Sequence, residues 1–171
     1  IYYGYTYGRG GEKTSAYEVI VNTEDTNHSR AIYTEYQYDN LFRLTDETLY
    51  ITEDVTCSDR DIQEISDINR AWSGNIAYHY TYDAVSNRTS QTVSINGNVC
   101  GLDQDVQAGT TVYSYNALNQ LIQAQRLEDS SVITYRYDLN GNLLSEHGGS
   151  SDKNYTYNGK NQLITATVSS G

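Results

Sequence analysis

The fold class the sequence predicts is all-β, a series of β-hairpins repeated along one chain of 171 residues. Three observations predict it. A phrase of tyrosine, any residue, tyrosine, then aspartate or asparagine recurs at Tyr36-Gln37-Tyr38-Asp39, Tyr80-Thr81-Tyr82-Asp83, Tyr113-Ser114-Tyr115-Asn116, Tyr135-Arg136-Tyr137-Asp138 and Tyr155-Thr156-Tyr157-Asn158. A glycine or asparagine follows at the fifth position, counting the second tyrosine as the first: Asn119, Gly141 and Asn161. An apolar pair then opens a second segment, as at Leu121-Ile122, Leu143-Leu144 and Leu163-Ile164.

Each observation has a physical reason. In a strand, residues i and i+2 point to the same face, so each phrase sets two rings on one side and a polar residue on the other. The aspartate or asparagine starts a turn, because its short side chain can bond the backbone two residues on. Glycine and asparagine tolerate the left-handed conformation that a tight hairpin needs. Two copies carry Phe42 and Ser86 at the fifth position, and their turns are expected to differ.

In chain order, residues 1–35 hold divergent strands, with a degenerate phrase at Tyr5-Thr6-Tyr7-Gly8 and an alternating run at 16–22. Residues 36–75 form the first full unit, with a strand over 31–39 and its return over 44–52. Within it, Ile62, Ile65, Ile68, Ala71 and Trp72 have helical spacing, which predicts one short helix over 59–72. An irregular insertion with short strands is the competing reading. Residues 76–171 are continuous repeat, so that 1–171 is one repeat array. The second tyrosines are spaced 44, 33, 22 and 20 residues apart from Tyr38 to Tyr157, and the longer gaps are expected to hold the helix and an extra strand pair.

These phrases resemble the YD-repeat, or Rhs (rearrangement hot spot), family. The likeness is closest at Tyr82-Asp83-Ala84-Val85-Ser86-Asn87-Arg88-Thr89-Ser90, where Ser86 replaces the glycine of the family phrase. It extends to Tyr38-Asp39-Asn40-Leu41-Phe42-Arg43-Leu44-Thr45, Tyr115-Asn116-Ala117-Leu118-Asn119-Gln120-Leu121 and Tyr137-Asp138-Leu139-Asn140-Gly141-Asn142-Leu143, and covers residues 31–168. The resemblance implies a β-sheet strip that spirals into a hollow shell, related to the shells of insecticidal toxin complexes and of teneurins. It implies a secreted or cell-surface protein whose wall encloses a toxin or carries adhesion domains. Members that cleave themselves carry a proline-containing motif, and this chain has no proline.

Composition bounds the partners. A net charge of −11 argues against nucleic acid or an anionic membrane surface. No apolar run approaches the roughly 20 residues of a membrane-spanning helix. The 18 tyrosines supply large rings for a core poor in aliphatic residues. The chain has no methionine, at residue 1 or elsewhere, and is expected to be a processed piece or an excerpt of a longer one. Cys57 and Cys100 match no zinc spacing and stand either as one disulfide or as two buried thiols.

Little in the sequence points to catalysis or to a cofactor. His28, His79 and His147 carry no local signature that ties a nucleophile to them. Asp138 to Asn142 with Glu146, and Asp103-Gln104-Asp105, have oxygen ligands at alternate positions but no calcium-loop glycine in its place, so no metal is expected. The sequons at Asn27, Asn87 and Asn154 are no more than chance supplies in so asparagine-rich a chain. Three functions follow as expectations: a structural repeat segment, a self-assembling subunit of an extracellular filament or sheath, or a carbohydrate-binding module. Its partners would be flanking repeats, further copies joined end to end, an enclosed toxin or surface glycans.

Overall fold

The structure, a computed structural model, describes residues 2–20, 30–52, 74–97, 106–149 and 151–170. They form twelve strands: β1 (Tyr2–Tyr7), β2 (Lys13–Ile20), β3 (Arg30–Tyr38), β4 (Leu44–Thr52), β5 (Gly74–Tyr82), β6 (Arg88–Gly97), β7 (Gly109–Tyr115), β8 (Leu121–Arg126), β9 (Val132–Tyr137), β10 (Leu143–His147), β11 (Ser151–Tyr157) and β12 (Leu163–Ser170). The protein is all-β. Its strands make one open antiparallel sheet in which spatial order is chain order, β1 through β12. The residues of the helix predicted over 59–72, and both Cys57 and Cys100, lie outside the described residues.

The twelve strands are six hairpins, and each odd-numbered strand ends on the second tyrosine of a phrase: Tyr7, Tyr38, Tyr82, Tyr115, Tyr137 and Tyr157. The degenerate phrase at Tyr5-Thr6-Tyr7 thus opens a hairpin as the other phrases do. The extra strand pair expected in the longer gaps is not among the described residues. Residues 53–73 and 98–105, which make up much of those gaps, lie outside the described residues.

Close packing divides the chain into two compact units, Ile1–Tyr80 with Thr92–Ala108, and Thr81–Gln91 with Gly109–Gly171. The first holds the apolar core: Val19, Ala31, Ile51 and Ile76 are buried at 0–1% exposure, and Tyr80 at 8%. There the β-branched residues that favour strands also fill the interior. In the second unit, one described side chain is buried, the polar Ser145 at 5%. Its tyrosine face is only half covered.

Candidate functional site: the repeated tyrosine-turn unit

The six turns have one geometry. The fifth position has a positive φ in every copy: Gly11 (87°), Phe42 (58°), Ser86 (72°), Asn119 (59°), Gly141 (86°) and Asn161 (59°). The expectation that the turns at Phe42 and Ser86 differ is corrected. Two backbone bonds close each loop, as in Phe42 N–H to Asp39 O (3.0 Å) and Asp39 N–H to Arg43 O (3.0 Å). This is a three-residue loop, a type I turn followed by a left-handed residue. An aromatic or hydroxyl side chain is held there because the surrounding bonds over-determine the conformation.

The second position supplies most of those bonds. The Asp39 Oδ1 accepts from the N–H groups of Leu41 (2.8 Å) and Arg43 (3.0 Å). Asp83, Asn116, Asp138 and Asn158 repeat both contacts with the residues two and four further on. The remaining atom of the side chain then selects the residue at the sixth position. Where the second position is aspartate, the sixth is a donor: Arg43 Nε at 2.6 Å, Asn87 Nδ2 at 2.9 Å and Asn142 Nδ2 at 2.8 Å. Where it is asparagine, the sixth is a glutamine that accepts: Gln120 Oε1 at 2.7 Å and Gln162 Oε1 at 2.8 Å. In the first hairpin Gly8 has no side chain, and the Glu12 carboxylate occupies the space that a Cβ would take.

Charge follows from this bonding. Burial would raise the Asp39 pKa, but the backbone and guanidinium of Arg43 and the N–H of Leu41 outweigh it and hold the carboxyl below its ordinary value. Donation from the Asn142 side chain, with help from backbone N–H groups, lowers that of Asp138. The pairing rule is testable. Asn87→Asp would set a carboxylate against Asp83 and is expected to cost about 1–2 kcal/mol in urea unfolding. Asn87→Arg, which copies the Asp39–Arg43 pair, is expected to stay within about 0.5 kcal/mol of the parent. Equal midpoints for the two variants would refute complementarity.

Beyond the loop, the return strand carries one extra residue. Tyr38 faces Leu44 while Gln37 faces Asp46, leaving Thr45 over. Thr14, Ile122, Leu144 and Ile164 are the corresponding residues of other hairpins. This two-against-one arrangement is a β-bulge. It explains why single hydroxyls meet two partners: Thr6 Oγ1 reaches Thr14 and Ser15 (2.8 and 2.6 Å), and Thr81 Oγ1 reaches Thr89 and Ser90 (2.7 Å each).

The tyrosine pairs lie as i, i+2 spacing requires. Tyr36, Tyr38, Tyr82, Tyr113, Tyr115, Tyr135, Tyr137, Tyr155 and Tyr157 are half-buried and Tyr80 is buried, while Gln37, Thr81, Ser114, Arg136 and Thr156 between them are exposed. Tyr78 and Tyr80 stack with centroids 6.4 Å apart. The second tyrosine also ties hairpins together. Tyr38 Oη donates to Lys13 O and Tyr115 Oη to Arg88 O, each at 2.9 Å, and both acceptors stand at the seventh position of the preceding hairpin. Burial raises the pKa of Tyr38, Tyr115, Tyr135 and Tyr137. Tyr155 donates to Glu146 at 2.7 Å; that bond raises the phenol's pKa and lowers the carboxyl's.

The turns touch one another as well. Asn87 Nδ2 donates to Asn119 Oδ1 (3.1 Å), and Asn142 Nδ2 to Asn161 Oδ1 (3.0 Å). Each contact runs from the sixth position of one turn to the fifth of the next. In the first unit, the Phe42 ring lies against Gly10 of the preceding turn.

The other candidates fall elsewhere. His79 Nδ1 is 2.7 Å from Asp46 Oδ1 on an exposed strand face, and His147 at the end of β10 is 3.3 Å from Asp152 Oδ2. His28, Asn27 and Asp103-Gln104-Asp105 lie outside the described residues. Both carboxylate oxygens of Asp138 are committed to its turn, and among the described residues no cluster of His, Cys, Asp and Glu could hold a metal. Asn87 is likewise engaged in the turn, while Asn154 on β11 is exposed.

Against known proteins, the chain matches no family model and no curated protein.

Proposed function

We propose that this chain is a structural repeat segment of the YD-repeat (Rhs) type, one that builds β-sheet wall in a secreted or cell-surface protein. The single observation that carries the reading is the sameness of the six hairpins. All six share a loop and a left-handed fifth position, and the five after the first share a side-chain lock at the second and sixth positions. Two bonds from one turn to the next, Asn87 to Asn119 and Asn142 to Asn161, join the same positions, as expected of an array that extends by adding hairpins. The half-covered tyrosine face of the second unit also suits a wall, since a single sheet layer gains stability by packing on another. The work proposed is non-catalytic. The enclosed toxin or adhesion domain that such a wall would serve belongs to the parent protein.

A second reading, a self-assembling filament, is favoured by the outer strands. β1 (YYGYTY) and β12 (LITATVSS) each have one neighbour in the strand order, and neither contains a charged residue. Leu163, Ile164 and Val168 on β12 are exposed. Proteins usually blunt such edges with lysine or proline, which both strands lack, because free N–H and C=O groups recruit another strand; the bulge at Ile164 lies at the loop end of β12. Both readings require an edge that accepts a strand. Light scattering and electron microscopy of the purified chain are expected to show end-to-end association that grows with salt, as the −11 charge is screened over about 8 Å at physiological strength. Val168→Lys is expected to reduce it. Open filaments favour the second reading and closed particles the first. A folded chain that stays monomeric at high concentration and high salt counts against both.

A further inference from the structure

The first compact unit holds a cleft of about 220 Å³ lined by Tyr3, Tyr5, Lys13, Glu18, Thr34 and Tyr36 among others. Its floor follows from register. Tyr5, Ala16 and Thr34 lie in one cross-strand row, and Tyr3, Glu18 and Ile32 in the next, all on the same sheet face. Small Ala16 and Thr34 sit between taller tyrosines, so the surface dips between aromatic walls.

Lys13 stands in that dip. Its Nζ is 5.1 Å from the centroid of the Tyr5 ring and 5.0 Å from that of Tyr36. No carboxylate pairs with it among the described residues. In a chain of net charge −11, a cation held by rings rather than by an acid is unusual. Ring faces attract the ammonium but take none of its three N–H groups in a conventional hydrogen bond. Those donors remain for a ligand. Tyr3 and Tyr5 are 58% and 53% exposed, which leaves flat apolar faces open beside the charge.

We propose that this cleft binds an acidic sugar, a hexuronate unit of a glycan. Lys13 receives the carboxylate, the Tyr5 and Tyr3 rings stack on the C–H face of the pyranose, and Glu18 accepts from its hydroxyls. The cleft's chemistry decides the class. One cation suits one carboxylate, and the Glu18 carboxylate further along the same strand disfavours polyanions such as oligophosphates. The wet, aromatic lining suits a ring with polar edges and an apolar face. The cleft opens on the sheet face, whereas strand addition uses backbone at the sheet edge. The proposal therefore stands or falls separately from the wall and filament readings.

Calorimetric titration of the folded chain with galacturonate and glucuronate oligosaccharides tests it, with the neutral galactose and glucose oligomers as controls. The acidic oligomers are expected to bind with Kd of about 0.1–1 mM, weakening as salt rises. Lys13→Gln is expected to weaken them at least tenfold, and Tyr3→Ala severalfold. Lys13→Arg, which keeps the charge and its ring contacts, should retain binding within a few fold, so the test survives if the glutamine variant folds poorly. No heat with the acidic oligomers, equal binding of the neutral ones, or unchanged affinity in Lys13→Gln or Tyr3→Ala would each overturn the proposal.

Discussion

Gly148→Ala is expected to cost on the order of 3–5 kcal/mol, a large share of the roughly 5–15 kcal/mol that holds an ordinary domain folded. Gly148 joins β10 to β11 at a φ of 109°, where L side chains are strained. An alanine Cβ there would also overlap the carbonyl oxygen of Val132, at the start of the neighbouring β9. Backbone cannot step aside as a flexible side chain does, so β9 and β10 would have to separate. The adjacent Gly149 separates the two effects. Its φ of 77° carries strain too, but its Cβ would meet nothing closer than 3.8 Å. Gly149→Ala is accordingly expected to cost only about 1 kcal/mol. Urea unfolding of the two variants checks the contrast, and similar losses would show that Val132 does not set the spacing.

Much of this architecture was legible because it is local. The period-2 tyrosines, the return strand over Leu44–Thr52 and the left-handed Asn119, Gly141 and Asn161 follow from neighbours a few residues apart. The errors have physical causes. The left-handed position was tied to glycine and asparagine by intrinsic preference, yet at Phe42 the bonds to Asp39 outweigh a conformational cost of about 1–2 kcal/mol. The first copy is degenerate, with Gly8 in place of the aspartate, yet Gly11 still takes the left-handed position and the Glu12 carboxylate fills the space beside Gly8. The complementarity of second and sixth positions was open to reading: Asp with Arg43, Asn87 or Asn142, and Asn with Gln120 or Gln162. It emerges only when the two positions are compared as a pair. Other features had no signal in sequence. The bond from Tyr38 to the Lys13 carbonyl spans 25 residues and depends on hairpin stacking. The Lys13 cleft likewise joins three strands through register.

Above pH 10 the fold is expected to collapse cooperatively, with tyrosinate absorbance appearing as β-sheet circular dichroism is lost. Burial is the leading cause that raises the pKa of Tyr33, Tyr38, Tyr50, Tyr78, Tyr115, Tyr135 and Tyr137. The sign follows from linkage. A phenol whose folded pKa lies above its unfolded value of about 10 contributes stability that is complete below pH 10 and is lost as pH rises through the folded value. Above pH 10 the unfolded chain releases protons that the folded chain withholds. Ionisation also removes donors: Tyr38 and Tyr115 would leave the carbonyls of Lys13 and Arg88 without their phenol partners. These are contacts between hairpins, so losing them loosens the array rather than one turn. The acid limb has the opposite sign. Asp39, Asp138 and Glu146 are held below their ordinary pKa values, so the stability they confer is present at neutral pH and fades as pH falls below about 4. A folded chain whose tyrosines titrate smoothly past pH 10 with its circular dichroism unchanged would show that the rings are surface decoration. A shared, steep transition would make the tyrosine face the adhesive of the repeat.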